Sequence, residues 1–333
     1  MRAAANIRIP PGPGLRQSAG TLESRGSPIA VERGRGRSHS TLPPRISPLR
    51  LRWFTWYSRR YVRRHFHSVR VSLAGLPPHT HGLPLVIYSN HASWWDALAC
   101  LVLKDEFFAD RTAFAPIDAD MLARYKFFRR LGFFGVERGL PAASLPESND
   151  APVVSGSLTN ARTAKRAEAR APSRTRGAIQ FLRTAEAVLQ SPENLLALTP
   201  QGRFADVRER PIRFEAGLGH LAARVQRAVF LPFAAEYVFW EERLPEILVR
   251  FGEPVEIRPQ HHSAFEAEYW TMLFEQKLTE TQDALAVEAK SRNPADFQIV
   301  LLGGAGQGGV YDWWRSFTAK LRGQTFRKEH GEK

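Results

Sequence analysis

A single cysteine, Cys100, occurs in 333 residues. That excludes an intramolecular disulfide and fits a reducing compartment. Cys100 sits in an apolar helical run, where a packed thiol is the expected state and a nucleophile the alternative. Lysine is absent from the first 70 residues, and acids are scarce there: 15 Arg face two acids, Glu23 and Glu32. This stretch carries +13 of the chain's formal +14, so the remaining 263 residues are close to neutral. The basic pI therefore describes a tail rather than the body. Such an asymmetry points to an anionic surface, either a membrane or nucleic acid bound non-specifically.

No long uncharged apolar run is present. Residues 83–103 have the length for a transmembrane helix but contain Asn90, His91 and Asp96, which argues against a span. No signal-peptide core is expected near the start. The expected location is cytoplasmic, either free or peripheral on a membrane surface. The nucleophile pattern G-x-S-x-G is missing, which argues against the acyl-enzyme route of α/β-hydrolases. His79 with His81, and His261 with His262, lack Cys or carboxylate neighbours at ligand spacing, so no metal is expected. No internal repeat is present.

The apolar fraction of 43% suffices for a sizeable core. Strand-like runs fall at 85–88, 112–115, 195–199, 229–235, 247–251 and 297–302. Helical runs lie at 95–103, 118–130, 174–190, 218–227 and 261–289. The alternation predicts an α/β fold with a mostly parallel central sheet flanked by helices. Around it the composition predicts an Arg/Pro/Gly-rich disordered arm over 1–50 and a basic amphipathic helix over 51–70. The body spans 71–259, with a disordered insertion at 140–173, and a helical extension with a glycine-rich loop covers 260–333. In the 51–70 helix Leu51, Phe54, Tyr57, Tyr61, Val62, His65 and Val69 share an arc opposite Arg52, Arg59, Arg63 and Arg70. Either that arc packs on the body or it lies in an anionic lipid interface.

The chain is organised around residues 83–96, Leu-Pro-Leu-Val-Ile-Tyr-Ser-Asn-His-Ala-Ser-Trp-Trp-Asp. An apolar run ends in a turn pair, Ser89-Asn90, and a helix follows. Strand ends that open into helices are where open α/β sheets hold ligands. On a regular helix His91 and Asp96 would diverge by about 140°. With His91 in the turn, Asp96 can curl back to accept its Nδ1–H, which fixes the tautomer and leaves Nε2 as a base. The alternative is a capping box, with Ser93 as N-cap and Asp96 as its N3 partner.

Asn90-His91-x-Ser93-x-x-Asp96 resembles the first motif of the glycerolipid acyltransferase superfamily, the glycerol-phosphate and lysophospholipid acyltransferases. Leu131-Gly-Phe-Phe-Gly-Val-Glu-Arg138 resembles its second motif. Leu196-Ala-Leu-Thr-Pro-Gln-Gly-Arg203 resembles the third, with Gln201 in place of the usual glutamate and Arg203 one residue early. Leu231-Pro232-Phe233 resembles the fourth. The resemblance spans about 70–255. It implies a membrane-associated O-acyltransferase that moves a fatty acyl group from acyl-CoA or acyl carrier protein to a lipid hydroxyl. His91 would be the general base and Asp96 its partner, with Asn90 and helix-start amides at the oxyanion. Arg138, Arg203 and Gly202 would hold the acceptor's phosphate, and Pro232 would border the acyl pocket. No cofactor beyond the donor, no metal and no specific nucleic-acid partner are implied. Lysophosphatidic acid or glycerol 3-phosphate would be the acceptor. The altered third motif also admits a non-phosphorylated lipid alcohol such as a glycosylated lipid, with Arg203 then pairing with Asp206 or Glu209.

Two readings of other classes stand beside this one. The first is a non-catalytic membrane- or nucleic-acid-binding protein driven by the basic N-terminus. The second is a nucleotide-dependent enzyme using Gly304-Ala-Gly306-Gln-Gly308-Gly309, although a dinucleotide fold needs a further strand and acid downstream.

Overall fold

The computed structural model describes residues 42–80, 82–137, 171–261 and 265–305. They form an α/β body built on a nine-stranded, mostly parallel mixed sheet. Six helices accompany it among these residues: α1 (Pro48–His65), α2 (Asp96–Phe107), α3 (Ala119–Arg124), α4 (Ala171–Val188), α5 (Gly217–Ala222) and α6 (Ala267–Ser291). The strands are β1 (Ser68–Ser72), β2 (Leu85–Ser89), β3 (Thr112–Asp118), β4 (Phe133–Val136), β5 (Asn194–Leu198), β6 (Ala228–Val238), β7 (Glu246–Phe251), β8 (Val255–Ile257) and β9 (Phe297–Leu302). Their order across the sheet is β4-β3-β5-β2-β6-β7-β1-β9, with β8 paired to β6 off this path.

The central strands β5, β2 and β6 run parallel. Their near-continuous apolar sequences follow from burial on both faces. On one face Leu85, Leu195, Leu231, Phe233 and Val249 meet α1 and α2 through Val62, Leu98 and Val102. On the other, Val86, Tyr88, Leu196 and Phe230 meet α4, α5 and α6. Trp270, Phe274 and Leu278 of α6, four residues apart, are almost wholly enclosed. At about 1.5–3 kcal/mol for each large apolar side chain buried, this stripe alone docks the helix.

Several sequence expectations are corrected here. The amphipathic helix does not reach residue 70. It starts at Pro48, suited to a first helical turn, and ends at His65, after which Phe66 is extended. Ser68–Ser72 then forms β1, whose alternation of Val69 and Val71 with Ser68, Arg70 and Ser72 has period two. Arg70 therefore lies buried beside Glu246, not on a solvated helix face. The last part of the supposed arm is structured: Ile46 packs against the core, and the Ser47 N–H donates to Arg130 O at 2.9 Å. The stretch 118–130 is not one helix, because β3 runs to Asp118 and α3 gives way to a 3-10 turn over Lys126–Leu131. Gly132 closes that turn at φ +103°, where a Cβ would meet Ala113 O at 2.4 Å. The helix expected at 218–227 stops at Ala222. Within the expected extension after 260, α6 covers the sheet and a strand not counted as helical, β9, pairs antiparallel with β1. The rest of the arm, most of the insertion and residues 306–333 with their glycines lie outside the described residues.

Candidate active site

β2 ends at Ser89, and the next side chain, Asn90, is 2% exposed. Its amide nitrogen donates to Ala235 O at 3.0 Å and its carbonyl accepts from Ala235 N–H at 2.9 Å. Asn90 therefore pins the end of β2 to β6. These two bonds make Asn90 a strand clamp, and they use one of the two hydrogens of its amide nitrogen.

The pinned strand hands His91 to the turn, where its carbonyl accepts the Ala205 N–H at 2.9 Å. Asp96 opens α2, where a carboxylate complements the helix dipole. The His91 Nδ1 and Asp96 Oδ2 lie 2.7 Å apart. The same Oδ2 accepts the Ser93 N–H at 3.0 Å, and Ser93 Oγ accepts the Trp95 N–H at 3.3 Å. The expected capping box is not formed, because α2 begins at Asp96 with Trp95 as its N-cap. The Ser93 N–H instead helps fix where the carboxylate stands, and the carboxylate fixes the imidazole with Nε2 as the ring nitrogen left for proton transfer.

The other carboxylate oxygen, Oδ1, accepts the hydroxyl of Tyr237. Burial, then the Asp96 charge, push the Tyr237 phenol far above its ordinary value, so it stays a donor. Tyr237 was not foreseen. Its trace in the sequence is parity: Leu231, Phe233, Ala235 and Tyr237 alternate along β6 on the face that meets α2. Phe204 was missed as well. Its ring lies 4.2 Å from that of His91, tilted by 33°, and is 59% exposed.

His91 and Asp96 stand at the wall of a cavity of about 430 Å³. It follows α2 from Asp96 to Lys104, about 12 Å at the helical rise. Its surface is mainly apolar, with Ile87, Leu101, Phe108, Ala113, Phe233 and Phe251 among the contributors. Cys100 also faces it, and burial, then the Asp96 charge, push the thiol up to about 12. That direction is the one of a packed thiol. A second, open groove of about 530 Å³ lies along Arg210, Arg213 and Glu275, away from the dyad.

The other motif residues divide. Thr199 and Phe204 bring the turn after β5 to the cavity. Gln201 is buried. Gly202 takes φ +68°, and its N–H donates to Thr199 O at 3.0 Å. Arg203 pairs with Glu209. Pro232 does not end its strand. It lies mid-way along β6 with its ring toward Gly252, while its neighbour Phe233 faces the cavity. Arg138 lies outside the described residues. Among the described residues no cluster of three His, Cys, Asp or Glu could hold a metal. The chain matches no model of a known protein family and no curated protein.

Proposed function

We propose that the protein is an O-acyltransferase, moving a fatty acyl group from an acyl thioester, acyl-CoA or acyl carrier protein, to the hydroxyl of a lipid such as a glycerolipid. The observation that carries this reading is the His91–Asp96 pair, joined at 2.7 Å, on the wall of an elongated apolar cavity. A proton-accepting imidazole beside a hydrocarbon slot suits a reaction whose donor has one apolar chain and whose acceptor has one hydroxyl to deprotonate.

In this mechanism the acyl chain lies in the cavity with its thioester carbonyl beside His91. The acceptor oxygen attacks that carbonyl as Nε2 takes the hydroxyl proton. Asp96 holds the imidazole in place and stabilises the imidazolium. The tetrahedral intermediate then collapses, the C–S bond breaks, and the thiolate leaves with the proton returned from Nε2. No covalent enzyme species forms. Asn90, through its second amide hydrogen, and backbone N–H groups at the start of α2 are the donors assigned to the oxyanion.

The lipid partners suggest where this happens. Trp53, Trp56, Tyr57 and Trp94 are exposed aromatics, and Arg52, Arg60, Arg63 and Arg64 are exposed cations on α1. That mixture suits the headgroup region of an anionic membrane. No described helix is long and apolar enough to cross a membrane, and the proposed attachment is peripheral. The test is mass spectrometry of a total lipid extract incubated with the protein and palmitoyl-CoA. A new acylated lipid that depends on His91 is expected. No new product from a folded protein would overturn the reading.

A further inference from the structure

The segment after β5 carries four arginines, Arg203, Arg208, Arg210 and Arg213. In sequence it looks like an anion-binding loop. In the fold each arginine meets a carboxylate: Arg203 with Glu209, Arg208 with Asp206 at 2.8 Å, Arg210 with Asp283, and Arg213 with Glu275 at 3.5 Å. Exposed pairs of this kind are individually weak, so a phosphate could break any one of them. Each broken pair, however, would leave an acid beside the same phosphate, and like charges at that range repel.

The turn itself is no better suited to an anion. The Gly202 N–H is directed to Thr199 O. The Glu215 side chain lies against Gly202: a Cβ built there would meet its Cγ at 3.1 Å and its Oε1 at 3.7 Å. A carboxylate therefore lies against the flank of the turn, and an anion brought there would meet its charge. What this loop offers next to the imidazole is uncharged, the exposed ring of Phe204 set at a tilt against His91. Trp94, also largely exposed, lies three residues beyond His91. Aromatic faces recognise apolar skeletons and the C–H faces of sugars, not phosphate dianions.

Resting on the acyl-transfer reading, we propose that the acceptor is an uncharged lipid alcohol, carrying no phosphate, whose hydroxyl-bearing end lies against Phe204. The carboxylates around Arg203 then select against phosphorylated analogues, which is specificity by repulsion.

The decisive pair of substrates differs by the phosphate alone: a monoacylglycerol and the lysophosphatidic acid of the same chain. Each is presented in neutral detergent micelles to the full chain with labelled palmitoyl-CoA. The monoacylglycerol is expected to give a kcat/KM at least about tenfold higher. The double variant Glu209→Gln/Glu215→Gln, which frees Arg203, is expected to narrow that ratio several-fold by improving use of lysophosphatidic acid. Equal use of the two acceptors, or preference for lysophosphatidic acid, overturns the acceptor assignment while acyl transfer stands. Transfer to neither acceptor overturns the acceptor assignment, and acyl transfer itself falls only if the total lipid extract also gives no product that depends on His91.

Discussion

The turn that closes β2 and the turn that closes β5 leave neighbouring parallel strands, and they treat charge in opposite ways. After β2, one carboxylate that is 6% exposed gathers the His91 ring, the Ser93 N–H and the Tyr237 hydroxyl. After β5, a half-exposed guanidinium, Arg203, is matched to Glu209 at the surface. A charge held away from water must be satisfied by fixed donors, and fixed donors give a fixed geometry. A charge in water needs no such shell, so its partner cancels charge without positioning anything. The first arrangement suits chemistry, and the second suits exclusion of an anion.

The largest break in this comparison comes from the buried side. Asp96→Asn keeps the shape but cannot fix the imidazole tautomer in the same way, and steady-state transfer should fall by roughly 10²–10⁴-fold, as when a general base is lost. Arg208→Ala, which removes an exposed pair, should leave the rate unchanged. The same contrast extends to stability. Arg70 and Glu246 are joined with side chains 7% and 3% exposed, and Ser68 donates to the same carboxylate. Glu246→Ala would strand a buried guanidinium and should cost about 3–5 kcal/mol in urea unfolding. A loss no greater than that seen for Arg208→Ala would mean burial is not what separates the two kinds of pair. The smallest effect concerns Cys100. With its thiol raised to about 12 from a model-compound value of 9.0, it stays protonated in the fold through the mildly alkaline range. Iodoacetamide at pH 8 should leave the native chain unmodified and label it only in urea. The stability this adds is complete below the unfolded value and declines as pH rises from about 9 toward 12.

The sheet's centre was legible because β2, β5 and β6 are short apolar runs between turn residues, a pattern that burial on both faces enforces. Its edge was not. Val69 fits the helical arc of the preceding residues as well as the alternation of β1, and only pairing with β7 and β9 decides between them. β8 is three residues long, too short to show a period. The dyad could be read because His91, Ser93 and Asp96 are close in the chain, so local turn geometry brings them together. Tyr237 and Ala235 reach the same turn from more than 140 residues away. Nothing local could show that Asn90 would be pinned or that Asp96 would gain a third donor. Arg203 was ambiguous for a different reason: a guanidinium serves a phosphate and a carboxylate equally well, and its pairing with Glu209 is visible only in the fold.

The central claim is that the His91 ring takes the acceptor's proton, and single-turnover transfer from a labelled palmitoyl thioester measures it most directly. With enzyme in excess, His91→Ala should lose the single-turnover formation of product while still binding the thioester, and added imidazole should restore part of it. A His91→Ala protein that transfers the acyl group at the wild-type rate would contradict the account.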